Sequence, residues 1–271
     1  MTDRERSESP PLQLDPSTLA VLQQFQREQS ELQQQFDALA SKAETDYEQQ
    51  RGSGSNDAVS SHDMISIDDF RKLFGEDWQL SQFWFVDFSF YRVVNLVPWL
   101  RRVSIRYSTE FATSFAKLLR KHCDRTTKVA FVSCPTGYVA FQHTNPLRDV
   151  YLFEYDERFK IFAKDRFVRY DLDEPESGIP EELHGAVDIV VADPPFLNEV
   201  TNVKLAKTLR KIVKQDTGRV VLLTSTQVQH LLPKIYDSKP IGPLTKQKVQ
   251  VQHANNLGND FACYASFDLT G

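Results

Sequence analysis

Two hydrophobic rhythms run along the chain. In the first, Leu22, Phe25, Leu32, Phe36 and Leu39 fall on one stripe at helical spacing within a segment rich in Gln and Glu. Asp15-Pro16 stands ahead of it as a helix start, Asp as N-cap and Pro at the first helical position, where a missing N–H costs nothing. The pattern predicts a polar tail and a Gln-rich amphipathic helix over residues 1–48 that packs on the main domain or on a partner. Residues 49–64, including RGSGSNDAVSSH, have the Gly/Ser/Asn/Asp composition of a flexible linker.

From residue 65 to 271 the rhythm changes to short apolar runs separated by helical stretches. The runs are Lys128–Cys134, Val150–Asp156, Phe167–Leu172, Val187–Ala192 and Arg219–Thr224. Helices are predicted over Thr109–His122, Asn198–Lys214 and Gln227–Tyr236. Continuous apolar strands alternating with helices imply a mostly parallel sheet covered on both faces. The last two strands, Thr245–Gln252 and Phe261–Phe267, are joined by the short polar stretch His253–Asp260, so this pair is expected to be antiparallel. In such an open sheet a ligand lies at the carboxyl ends of the first strands.

Composition narrows the function classes. The formal net charge is −5 and no long basic run occurs, so nothing pushes toward nucleic acid, and an acidic surface suits a basic protein partner. Cys123, Cys134 and Cys263 are far apart and odd in number, which fits a reducing compartment rather than a disulfide framework. The six histidines form no Cys/His pairs at zinc spacing, so no metal is expected. The polar start MTDRERSESPP lacks the apolar core of a signal peptide, and no apolar run approaches a membrane span; the expected location is the cytoplasm.

The strongest chemical signal is VDIVVADPPFL, Val187 to Leu197, a buried strand running into Asp193-Pro194-Pro195-Phe196. Two prolines cannot continue a ladder, so they stiffen the turn at the strand's carboxyl edge. Such a turn can aim the Asp193 carboxylate and a backbone carbonyl at an amine, with Phe196 offering a ring face to it. The plainer alternative is a rigid loop with Asp as a turn residue. In DVYLFEYDERF an apolar strand ends in Glu154, placed to accept hydrogen bonds from ribose hydroxyls, with Asp156 in support or simply capping the next helix. Asp171, at the end of FVRYDL, is either an acceptor for an adenine amino group or a solvated loop acid. The first strand, KVAFVSC, gives Ser133, Pro135 and Gly137 as further cofactor contacts. With Gly137 alone in that turn, a pyrophosphate-bearing dinucleotide is disfavoured. Trp78, Phe83 and Trp84 could cover the cofactor or substrate, or pack in the core.

Taken in order, DWQLSQFW, LFEYDERF, VDIVVADPPFL and NDFACYASFD resemble the eukaryotic lysine methyltransferases of translation elongation factor 1-alpha. That family was once labelled N6-adenine-specific DNA methyltransferases, because the Asp-Pro-Pro-Phe/Tyr motif is shared with enzymes that methylate adenine, glutamine and RNA. The resemblance implies an α/β fold of class I, a seven-stranded Rossmann-like sheet, with S-adenosyl-L-methionine as cofactor and elongation factor 1-alpha as protein substrate. It puts catalysis at Asp193, Pro194, Pro195 and Phe196. Asp193 is also a cofactor contact, and Phe196 also a substrate contact beside Trp78, Phe83 and Trp84. An adenine methyltransferase and a non-catalytic binding module are the alternatives. One departure stands out: Phe85–Arg106 interrupts what would read SQFWYSTEFA, so it reads as an insertion or a retained intron.

Overall fold

The computed structural model describes residues 107–144, 146–252 and 260–270, with scattered positions of a helix between 19 and 45. Trp78, Phe83, Trp84, the Phe85–Arg106 segment and the apolar stripe of the N-terminal helix lie outside the described residues. The chain divides into two compact units, Met1–Gly52 and Ser53–Gly271. In the first, the described positions are helical and exposed, with a side-chain bond from Gln33 Nε2 to Asp37 Oδ1 at 2.8 Å one turn apart.

The second unit begins, in its described part, with α1 (Thr109–Arg120). Ser108 caps it, its Oγ accepting the Phe111 N–H at 3.0 Å. Glu110 in the first turn and Lys117 and Arg120 in the last complement the helix dipole. Phe111, Ala112, Phe115, Ala116 and Leu119 fall on the buried stripe.

The sheet follows: β1 (Val129–Val132), β2 (Val150–Glu154), β3 (Phe167–Arg169), β4 (Ile189–Ala192), β5 (Arg219–Ser225), β6 (Thr245–Lys246) and β7 (Phe261–Ala265). Helix α2 (Pro135–Thr144) links β1 to β2, and α3 (Glu199–Ile212) links β4 to β5. The seven strands lie in the order β3-β2-β1-β4-β5-β7-β6. Pairing is parallel from β3 through β5, and β7 runs antiparallel between β5 and β6. This is the class I methyltransferase sheet that the strand–helix alternation implies.

β1, β2 and β4 are buried at every position because both faces are covered. One face packs Phe131, Leu152, Val191 and Leu223 against α1 and α2. The other packs Val132, Phe153, Ala192 and Leu222 against Leu205, Leu209 and Ile212 of α3. Leu119, Leu205, Leu209 and Ile212 are fully enclosed, so truncating any one to Ala costs about 2–5 kcal/mol.

The structure departs from the sequence reading in three places. β3 ends at Arg169, and Asp171 lies beyond it. β6 is two residues long: one more ladder bond forms from Gln247 N–H to the Cys263 carbonyl at 2.8 Å, and the Gln247 amide turns back onto Thr245. The helix expected over Gln227–Tyr236 is a tight 3-10 segment, Thr226–Leu231, followed by one α turn, Leu232–Ile235. Pro233 has no N–H to give to Gln229, so a continuous α-helix cannot pass through it.

All three cysteines are free. Among the described residues no helix is long and apolar enough to cross a membrane. Among them, too, no group of His, Cys, Asp and Glu could hold a metal ion.

Candidate active site

The strand order reverses between β1 and β4: β1 connects to β2 on one side, and the chain returns to β4 on the other. That reversal opens a crevice at the carboxyl edge of the sheet. Val132, Phe153 and Ala192 are in register there, so the residues that follow them emerge side by side.

After β1 the chain turns sharply at Ser133, which holds a positive φ of 51°. Few non-glycine residues adopt that conformation, and it marks a turn fixed by its surroundings. Ser133 N–H is tied to the Phe153 carbonyl at 2.9 Å. α2 then starts at Pro135, and Gly137 is buried inside it. A Cβ at Gly137 would lie 2.6 Å from Cys134 Sγ and 3.2 Å from the Phe131 ring. The missing side chain at Gly137 therefore lets α2 close onto β1.

Glu154 ends β2 and is 4% exposed. Its Oε1 accepts the Tyr155 N–H at 2.9 Å and sits 3.5 Å from the Asp156 nitrogen. Burial pushes its pKa up to about 8, with Asp156 and Asp193 adding to the rise against the two backbone bonds. A buried acid of this kind gains from a neutral hydroxyl donor, so the site fits a ribose.

Asp156 is spent differently. It caps the 3-10 turn Glu157–Phe159, and its Oδ1 takes the Arg158 N–H at 3.0 Å. The Arg158 guanidinium grips both oxygens, Nη2 reaching Oδ2 at 2.6 Å. Of the two readings weighed for Asp156, capping is the one these contacts serve. Asp171 lies farther out, its Oδ1 accepting the Asp173 N–H at 2.8 Å in a local turn.

Asp193 follows β4, its N–H bonded to the Val132 carbonyl at 3.1 Å. Pro194 is buried, while Pro195 and Phe196 keep part of their surface exposed. The corner is anchored from behind. Asn198 caps α3 by accepting the Thr201 N–H at 2.9 Å. Asn202 donates to the Asn198 carbonyl at 2.8 Å and accepts the Tyr236 hydroxyl at 3.1 Å. Burial raises the Asp193 pKa to about 7, with the nearby Tyr107 hydroxyl opposing the rise in part.

The structure thus brings Ser133, Glu154 and Asp193 to one edge, with Asp171 beyond the end of β3, the strand next to β2. It adds two groups that the sequence did not single out. Tyr107 and Cys134 are both buried near Asp193, and each pKa is raised by desolvation first and by the Asp193 charge second. An aromatic residue directly before a Ser N-cap, packing on the first helical turn, was the available signal for Tyr107.

A family model described as "Probable N6-adenine methyltransferase" matches residues 76–269. The chain is 29% identical to the protein-lysine N-methyltransferase EFM5 of Saccharomyces cerevisiae, over 95% of this chain and 92% of that one. It is 31% identical to the protein-lysine N-methyltransferase M142.8 of Caenorhabditis elegans, over 71% of this chain and 78% of the relative. It is 27% identical to the human EEF1A lysine methyltransferase 1, over 99% and 97% of the two chains. With its crevice, its Asp-Pro-Pro-Phe corner and this extent of match, the chain belongs to the family that this model describes, in which the named relatives are protein-lysine N-methyltransferases.

Proposed function

We propose that this protein transfers a methyl group from S-adenosyl-L-methionine to the side-chain nitrogen of a lysine on translation elongation factor 1-alpha, in the cytoplasm. The observation that carries the reading is the stiff Asp193-Pro194-Pro195-Phe196 corner at the strand-order reversal, with Glu154 rising beside it on the same face. Glu154 would hold the ribose hydroxyls, and the turn at Ser133 and Pro135 would lie along the cofactor. When bound, the cofactor supplies a methyl group activated on a sulfonium.

A lysine amine has an ordinary pKa of about 10.4 and must be neutral to attack. Desolvation in the crevice favours the neutral form. Asp193 works in the opposite sense on that equilibrium, so its task is orientation. Above pH 7 its carboxylate accepts an N–H of the amine, aims the lone pair and balances the positive charge that develops on nitrogen. Phe196 offers an aromatic face to the lysine stem. Most of the acceleration comes from in-line positioning.

The rival chemistry is transfer to the exocyclic nitrogen of adenine, which the name of the family model suggests. A flipped base would enter the same corner, but the enzyme would also need cationic surface for the phosphates. The net charge of −5 favours a basic protein surface instead. Incubation with labelled cofactor and, separately, purified elongation factor 1-alpha or unmethylated DNA and RNA tests the choice. Label on the protein supports the proposal; label on nucleic acid alone replaces it with the adenine reading.

A further inference from the structure

We propose that Val200 and Val203, on the outer face of α3, form the docking surface on which the substrate protein rests while its lysine enters the crevice. The inference rests on the lysine-methyltransferase reading above and names the part of the enzyme that receives the rest of the substrate. Val200 is 63% exposed and Val203 is 40% exposed; among the described residues of the second unit, these two are the exposed large hydrophobic side chains. A single exposed valine is ordinary on a protein surface. Here two of them stand one turn apart, directly after the reacting corner.

The outer stripe of α3 runs Val200, Val203, Lys207, Arg210, at the three- and four-residue spacing of one helix face. A helix face turned to water is normally polar along its whole length. This one is polar only in its second half. The apolar half adjoins Asn198, the cap that follows Asp193-Pro194-Pro195-Phe196. Phe196 keeps part of its surface exposed, and Leu197 packs on the core and ties this rim down. From Phe196 to Val203 the chain therefore passes from the ring given to the lysine stem to an apolar rim. A lysine on a folded protein brings its neighbours with it. With the amine at Asp193, the surface around that lysine comes down on what flanks the corner, and the first turns of α3 flank it. The rim sets the chemistry of what it meets: an apolar side chain beside the target lysine, with a further cation suited to the exposed Glu199.

The double variant Val200→Gln/Val203→Gln makes the rim polar, and glutamine favours a helix more than valine does, so folding should be intact. With purified elongation factor 1-alpha as acceptor, KM should rise roughly tenfold or more, while kcat stays within about twofold and the cofactor dissociation constant is unchanged. Calorimetric titration of the full-length enzyme with elongation factor 1-alpha, without turnover, should show the same loss of affinity. The double variant Val200→Ile/Val203→Ile keeps the face apolar and should hold KM within about threefold of wild type. An unchanged KM in the glutamine variant overturns the inference and leaves the lysine reading standing. An isoleucine variant as weak as the glutamine one does the same. So does a glutamine variant whose melting temperature and kcat fall together, because another part of this chain then covers the valines. If the wild-type enzyme neither binds nor methylates elongation factor 1-alpha, the proposed function falls and the docking surface with it.

Discussion

Glu154 and Asp193 rise from the same face of the sheet, with β1 alone between their strands. Glu154 is buried and Asp193 half-buried, and both pKa values are raised, to about 8 and about 7, with desolvation as the first cause. Two acids this near to each other and this poorly solvated are not a stable arrangement for its own sake. They make sense as acceptors waiting for donors, hydroxyls at one and an amine at the other.

Removing the second acceptor isolates its contribution. Asp193→Ala should lower turnover by at least about a hundredfold, because orientation is lost. Cofactor affinity, measured by calorimetry, should stay within about threefold. Near-normal turnover in this variant would take Asp193 out of the reaction.

Glu154→Gln separates binding from stability. A carboxyl whose folded pKa lies above its unfolded value contributes stability in acid and loses it as pH rises. For Glu154 the window runs from the usual 4.5 up to about 8. Without cofactor, the variant should therefore melt about 5 °C above wild type at pH 8.5 and within about 1 °C of it at pH 4. Its cofactor affinity should fall roughly tenfold above pH 8, where the carboxyl is ionised and a charged acceptor is replaced by a neutral one. Parallel melting curves across that range would argue against a penalised carboxylate at this position.

Asp156 should behave as a structural residue. Asp156→Ala removes a cap and a bidentate partner of Arg158, which costs about 1–2 kcal/mol in denaturant unfolding. Cofactor affinity close to wild type would accompany that loss. A large fall in affinity with full stability would instead put Asp156 in the binding site.

Gly137→Ala tests the packing of α2 on β1. The added methyl meets Cys134 Sγ at 2.6 Å, so overpacking should destabilise the protein by about 1–3 kcal/mol. Cys134→Ala in the same chain makes room and should recover much of the loss. Thermal melts of the single and double variants decide the point. Additive destabilisation would place the strain elsewhere.

Much of this arrangement was readable from the chain alone. Runs such as Val129–Val132 and Ile189–Ala192 are apolar throughout because helices cover both faces, and that continuity announced a parallel sheet. The short polar connection before Phe261 announced the antiparallel return. Glu154 and Asp193 were visible because each closes a strand. Other features depended on geometry that no local pattern carries. The run TKQKVQVQ alternates like a strand over its whole length, yet the ladder ends where Gln247 folds its amide back onto Thr245 and its Oε1 accepts the Leu269 N–H. The close packing of Gly137 on Cys134 and Phe131 was likewise invisible in the chain alone. Ser133 and Asp193 lie far apart in the chain, and they stand side by side only because β1 and β4 are adjacent.

A main-chain link from Ser108 to the Gln252 carbonyl fastens the beginning of the described fold to the segment after β6. Because Ser108 also caps α1, whatever shifts Gln252 is transmitted to the start of that helix. Substitutions around Val249 and Val251, partly buried and packed against the core, thereby become a lever on the seating of α1 without touching it.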